Sequence, residues 1–168
     1  LNYLGTLKSG QSWVDCSKYA NPHNLRNLTI REQNIEQGVL DWICSCGMLE
    51  RLALTRIPIT DEMIFMLGCR KTLERLDLNE TDVAFSDSKF VVNSFESVRS
   101  LEVKATAVSS ESVAIIRDAF PKLQRIIADR TKLTRRDVQT ISMWPELLIL
   151  QSDYPDVDFD RYGEHFWD

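Results

Sequence analysis

LERLALTRIPI (residues 49–59) and LERLDLNETDV (73–83) begin with the same four letters, 24 residues apart, and then keep one apolar rhythm. Leucine or a β-branched aliphatic stands at offsets 0, 3, 5 and 10 of both. Working outward from this pair, the pattern also starts at Leu25, Val98, Leu123 and Leu147. Six segments therefore follow one another at steps of 24, 24, 25, 25 and 24 residues. The first column is Leu25, Leu49, Leu73, Val98, Leu123 and Leu147. The fourth is Leu28, Leu52, Leu76, Leu101, Ile126 and Leu150, and the eleventh is Ile35, Ile59, Val83, Val108, Leu133 and Val157. The sixth column thins late, from Ile30, Leu54, Leu78 and Val103 to Ala128 and Ser152. An internal period of this kind decides the architecture before local propensity does.

The fourth and sixth positions flank a single residue, which is the alternation of a short strand with both apolar side chains on one side. Similar strands stacked about 4.8 Å apart make a parallel sheet. Each strand then needs a return segment, and the intervals read as helices. Residues 59–72 open with Thr60 as N-cap and acids in the first turn, then place Met63, Ile64 and Leu67 at helical spacing. Residues 108–122 have Ser109 or Ser110 as cap, Val113, Ile116 and Phe120 inward, and Pro121 as a stop. Residues 133–146 repeat the scheme with Thr134 and Pro145. Residues 35–47 turn Val39, Leu40 and Ile43 inward, with Gly47 past the end. The stretch 83–97 is the least regular, a helix with a looser start.

At the ends the period fades. Residues 13–25 read as one more helix ended by Asn21-Pro22, and LNYLGT (1–6) as a degenerate strand of a preceding segment. After Val157 the chain is acidic and aromatic, a cap over the last strand or the start of a further module. The domain layout is thus one unit over 1–168: a cap or degenerate repeat at 1–24, about six repeats at 25–157, and a cap or tail at 158–168. Opening on Leu1 rather than methionine, the chain reads as a domain of something longer.

Between Leu25 and Val157 the columns resemble the leucine-rich repeat, L-x-x-L-x-L-x-x-N/C/T-x-L. The resemblance implies an α/β solenoid, a horseshoe with parallel strands on its concave face and helices on its convex face. It departs from the family at the ninth position, which reads Gln33, Ile57, Thr81, Thr106, Thr131 and Pro155. Threonine hydroxyls can still bond nearby backbone as asparagine does, but Ile57 and Pro155 cannot. The stretch ITDEMIFMLGCRKTLERLDLNETDV (59–83) is similar to the cysteine-containing repeats of F-box proteins and other cullin-ligase substrate receptors. That narrower likeness implies ubiquitin-ligase components as partners, engaged through flanking sequence.

With 43% apolar and 27% charged residues among 168, the composition is that of a soluble globular domain with one core. No apolar run approaches the roughly 20 residues of a membrane span, and the start lacks a signal peptide's basic leader. A net charge of −5 argues against a nucleic-acid coat. Cys16, Cys44, Cys46 and Cys69 are too few for a disulfide scaffold and read as reduced thiols of a cytoplasmic or nuclear protein. Cys44-Ser-Cys46 is a poor zinc half-site, because its members point to different sides of a helix. Cys44 and Cys69 instead suit small buried slots near the helix ends. His23 and His165, the only neutral-pH bases, lie at opposite ends, and no phosphate loop, nucleophile elbow or metalloprotease motif is present. No catalytic residue, cofactor or metal is expected. Trp42 and Trp144 suit packing, and Phe166-Trp167 either cap the core or anchor a partner.

If positions four and six are core, positions three, five and seven face away from it. They bring Arg51, Arg75 and Arg125 into one row beside Asp77 and Glu102, with Asn79, Lys104, Asp129 and Asp153 in the next row. Asp153 and Tyr154 make the final end more acidic. Arg51 and Arg75 stack beside Glu50 and Glu74 and offset them, and either neutralise Asp77 and Glu102 or face a partner. The function expected is protein–protein interaction through the concave face. The alternatives are the substrate-recognition arm of a ubiquitin ligase and an RNA-associated scaffold, the latter opposed by Asp77, Glu102 and Asp129.

Overall fold

Parallel pairing demands a crossover of about a dozen residues or more, and the 24–25-residue step supplies one. The computed structural model describes residues 3–7, 24–31, 37–67, 71–86 and 95–161. In chain order they form β1 (Tyr3–Leu7), β2 (Asn27–Arg31), α1 (Gln37–Ser45), β3 (Arg51–Thr55), α2 (Asp61–Leu67) and β4 (Arg75–Asp77). Then come β5 (Ser100–Glu102), α3 (Ser112–Ala119), β6 (Arg125–Ile127), α4 (Arg135–Ser142), β7 (Ile149–Gln151) and β8 (Phe159–Asp160). The eight strands make one sheet whose spatial order is the chain order. All pairs are parallel except the last, where β8 runs back against β7. The expected α/β class with a mostly parallel sheet is what forms. No described helix is long and apolar enough to cross a membrane.

Register follows the period. Leu28, Leu52, Leu76, Leu101, Ile126 and Leu150 face one another in a single line across the sheet. Leu4 extends that line to β1, so LNYLGT does supply a strand, with an irregularity between Leu4 and Leu7. The second-position carbonyls of Arg26, Glu50, Glu74, Arg99 and Gln124 each accept two N–H groups from the next segment, as Glu50 O does from Glu74 (2.8 Å) and Arg75 (3.0 Å). At the eighth position the backbone is left-handed: φ is 58° at Arg56, 58° at Glu80, 52° at Ala105 and 54° at Arg130. That turn aims the N–H sideways, so Arg56, Glu80 and Ala105 donate to the carbonyls of Asn79, Lys104 and Asp129. In the ninth column Thr81, Thr106 and Thr131 each donate to the carbonyl three residues back, at 2.7, 2.7 and 2.9 Å.

The first, fourth and sixth columns are buried from Leu25 to Ser152, and Ile59, Val83, Val108 and Leu133 close the eleventh. Val157 is only half-buried, and Ile35 lies outside the described residues. From the helices Ile43, Ile64, Leu67, Ile115, Ile116, Val138 and Ile141 join the same cluster, so sheet and helices share one core. Trp42 and Trp144 pack against it, as their amphipathic rings suggest.

Thr134 caps α4 as expected, in a reciprocal capping box with Asp137. The start of α3 differs from the expectation. Neither Ser109 nor Ser110 caps it; Glu111 occupies that place without a side-chain bond. Ser112 Oγ instead accepts from Ser109 N–H (2.9 Å) and donates to Ala84 O (2.5 Å), a tie between loops that spacing could not reveal. In 83–97, residues 84–86 are held open rather than helical. The Asp61 carboxylate accepts the N–H groups of Ala84, Phe85 and Ser86 at 2.8, 2.9 and 2.8 Å. Phe85 and Phe95 then meet Phe120, edge-on at 5.7 Å and stacked at 4.7 Å.

Cys46 is buried and unbridged, its Sγ 3.4 Å from the Trp42 carbonyl. The expectations for the 13–25 helix, Cys16, Cys69, His23, His165 and Phe166-Trp167, and for the side chains of Val39, Leu40 and Cys44, lie outside the described residues. Among the described residues, no three His, Cys, Asp or Glu side chains gather as metal ligands.

Candidate functional site

Because positions four and six carry the core, positions three and five project from the opposite face of the sheet. On that face Arg51 is exposed, Arg75, Asp77, Glu102 and Arg125 are half-buried, and Ser100 and Ile127 are buried. Pairing places Arg51 beside Arg75, Arg75 beside Ser100, and Ser100 beside Arg125. Two residues along, Ala53, Asp77, Glu102 and Ile127 form the neighbouring line. A hollow of about 340 Å³ lies between the three arginines and the two acids. Thr29, Ala53 and Ser100 also line it, and their short side chains leave the space open.

Glu102 anchors the charge network. Arg125 donates to its Oε1 at 2.6 Å and to Ser100 Oγ at 3.1 Å, while Asn79 Nδ2 donates to its Oε2 at 3.1 Å. Burial pushes the Glu102 carboxyl up, but the bond and charge of Arg125, with Asn79 and Lys104, hold it below the usual range. Asp77 goes the other way. Burial raises it and Glu102 adds to the rise, against the Asn79 N–H bond (2.9 Å) and the charges of Arg31 and Lys104. Arg75 is pushed down by burial and by like charge from Arg51 and Arg125, beyond what Glu74 and Glu102 restore. Glu102 is therefore paired with Arg125, a pairing the sequence did not assign. Glu50 pairs with Arg26 rather than with Arg51.

A second hollow of about 220 Å³ follows along the strands, lined by Asp77, Asn79, Lys104 and the seventh- and eighth-position residues around them. Asn79 Oδ1 accepts the Lys104 N–H at 2.7 Å, and Lys104 Nζ lies 3.7 Å from Asp129. Gln151 donates to the same Asp129 carboxylate at 2.9 Å. Thr55 Oγ1, buried in this wall, has no hydrogen-bond partner among the described residues.

Eight of the ten expected contact residues thus form one connected surface: Arg51, Arg75, Asp77, Glu102 and Arg125, then Asn79, Lys104 and Asp129. Asp153 and Tyr154 do not join it. Asp153 accepts the Arg130 N–H at 2.8 Å and so completes a backbone turn. Tyr154 rests on the core, its hydroxyl 3.5 Å from the Leu133 carbonyl. The sequence reading passed over Arg56 and Glu80, which pair at 3.0 Å, the bond to Arg56 holding Glu80 below its usual range. Opposite charges 24 residues apart at the eighth position were the available signal. Ile127 falls in the fifth column, with the outward-facing residues, yet it is buried, outside the main core cluster. No protein-family model matches the chain, and a search of curated proteins finds no match to it.

Proposed function

We propose that this chain is an α/β solenoid of the leucine-rich-repeat type that binds a partner protein through its open, concave sheet face, without catalysis, in the cytoplasm or nucleus. One observation carries the reading: rows of cations and anions are held side by side around a hollow on the sheet face opposite the main core. Arrays of this kind select and steer a partner by charge. In-register strands recurring every 24–25 residues support the repeat architecture, in which the strand face is the usual contact surface.

The test is affinity purification from native extract, comparing the chain with an Arg51→Glu/Arg75→Glu variant of unchanged circular dichroism. The variant is expected to lose the main partner. Recovery of the same partners by both would move attention to the final segment around Tyr154. The likeness of residues 59–83 to ligase receptors favours a second reading, a substrate-recognition arm. For it, a cullin or its adaptor should co-purify with the longer protein.

A further inference from the structure

We propose that the hollow beside Arg51, Arg75 and Arg125 is a carboxylate-binding site, taking an aspartate or glutamate side chain of the partner while Asp77 meets a cationic group roughly 7 Å further along it. The inference rests on the open face being the contact surface, and it names the chemistry read there.

Three observations lead to it. Arg51 and Arg75 face each other in register on β3 and β4, and Arg125 stands two strands beyond Arg75, across the small Ser100. Three long guanidinium groups thus border a space of about 340 Å³. A guanidinium presents two parallel N–H groups that match a planar carboxylate. Second, the row repels itself. Burial and the charges of Arg51 and Arg125 disfavour the cation at Arg75, while Glu74 and Glu102 favour it. Third, the opposite wall is acidic. Asp77 and Glu102 sit two residues further along their strands, a distance of roughly 7 Å.

Both Glu102 oxygens already accept bonds, from Arg125 and Asn79. Asp77 holds the Asn79 N–H at Oδ1 and feels Arg31 and Lys104, yet burial and Glu102 still disfavour its charge. A cation beside it offsets that. A phosphoryl dianion or a nucleic-acid strand would set more negative charge against these two acids. A protein segment with an acid and a base two residues apart in extended form fits both walls.

The experiment follows the arginine Nε–H resonances of the 168-residue chain at constant ionic strength. The probes are N-acetyl-glutamate amide and N-acetyl-Glu-Ala-Lys amide. Both are expected to shift Arg51 and Arg75 saturably, with Arg75→Gln weakening each about tenfold. The lysine-bearing probe should bind about threefold tighter, a gain that Asp77→Asn removes without weakening the single-acid probe. Unchanged backbone resonances in β4, β5 and β6 separate these effects from unfolding. Equal shifts with chloride alone, or undiminished affinity in Arg75→Gln, would overturn the site. So would tighter binding of inorganic phosphate or of a short oligouridylate. If neither probe binds while the Arg51→Glu/Arg75→Glu variant still loses its partner, the carboxylate site is wrong and the broader contact face stands. Saturable probe binding with the partner retained by that variant supports the pocket and sinks the contact face.

Discussion

Residues 73–86 with 95–133, and residues 147–161, meet the same demand, partners for the backbone of a stacked strand, by different means. In the interior, left-handed Glu80 and Ala105 hand their N–H groups to the carbonyls of Lys104 and Asp129 in the following segment. At the end, Arg130 hands its N–H to the Asp153 side chain instead. Tyr154, at the eighth position of the last segment, is not among the left-handed residues. One more carboxylate, Asp158, accepts both the Ser152 N–H (3.0 Å) and its hydroxyl (2.6 Å), where the interior has an aliphatic sixth position. β8 then pairs back on β7, and Arg161 lies 4.8 Å over the Phe159 ring. Where the aliphatic columns thin, acids take over the backbone that the next segment would satisfy. The charge of Asp153 reads in the sequence as a binding feature, but Asp153, like Asp158, is an end fitting.

The largest effect should separate the two regions directly. Leu101→Ala, in the fully buried interior column, is expected to cost about 3 kcal/mol in urea unfolding, and half-buried Val157→Ala about 1 kcal/mol. Equal losses would mean that the end is packed as tightly as the middle. Next comes Asp158→Ala, which orphans a half-buried N–H and should cost about 2 kcal/mol. Hydrogen exchange should show the loss confined to β7 and β8; a uniform rise in exchange would contradict the local role.

Glycine substitution tests the backbone contrast. Ala105→Gly removes the Cβ from a φ of 52° and is expected to raise stability by about 0.5–1 kcal/mol. Tyr154→Gly should lower it, since that residue has no left-handed strain to relieve and packs on the core. A gain at both positions would erase the distinction.

The smallest effect is in pH dependence. Asp77 has its folded pKa raised, so its contribution favours the fold below the ordinary 3.8 and is lost as pH rises through the folded value. Asp77→Asn should therefore be modestly more stable than the parent near neutral pH, with the gap closing in acid. Glu102, held down chiefly by Arg125 against its burial, carries the opposite sign: its stabilisation is present above the ordinary 4.5 and fades as pH falls through the folded value. A neutral-pH loss on Asp77→Asn would show that the Asn79 N–H bond outweighs the burial.

Much of the fold was legible because it depends on a repeated requirement. Every strand must present aliphatic side chains on one side to share a core, so the columns at offsets 0, 3 and 5 appear in the letters and again as buried lines. The cap at Thr134 was legible for a similar reason, since it bonds the backbone only three residues on. The Ser112 tie to Ala84 was not, since its ends are 28 residues apart and on no shared column. Asp61 binding three backbone N–H groups of residues 84–86 escaped notice on the same ground.

The charged face divides in the same way. Which side chains leave the core follows from alternation along a strand, and so Arg51, Arg75, Asp77, Glu102 and Arg125 could be gathered from the sequence into one surface. Which cation takes which anion could not. A long guanidinium reaches several carboxylates on neighbouring strands with similar Coulomb energy, and small differences of burial and second hydrogen bonds select among them. Glu102 went to Arg125 because Ser100 and Asn79 complete that arrangement. A period can be read along the chain because every copy meets the same constraint. The pairing belongs to the packed molecule, where each position meets its own neighbours.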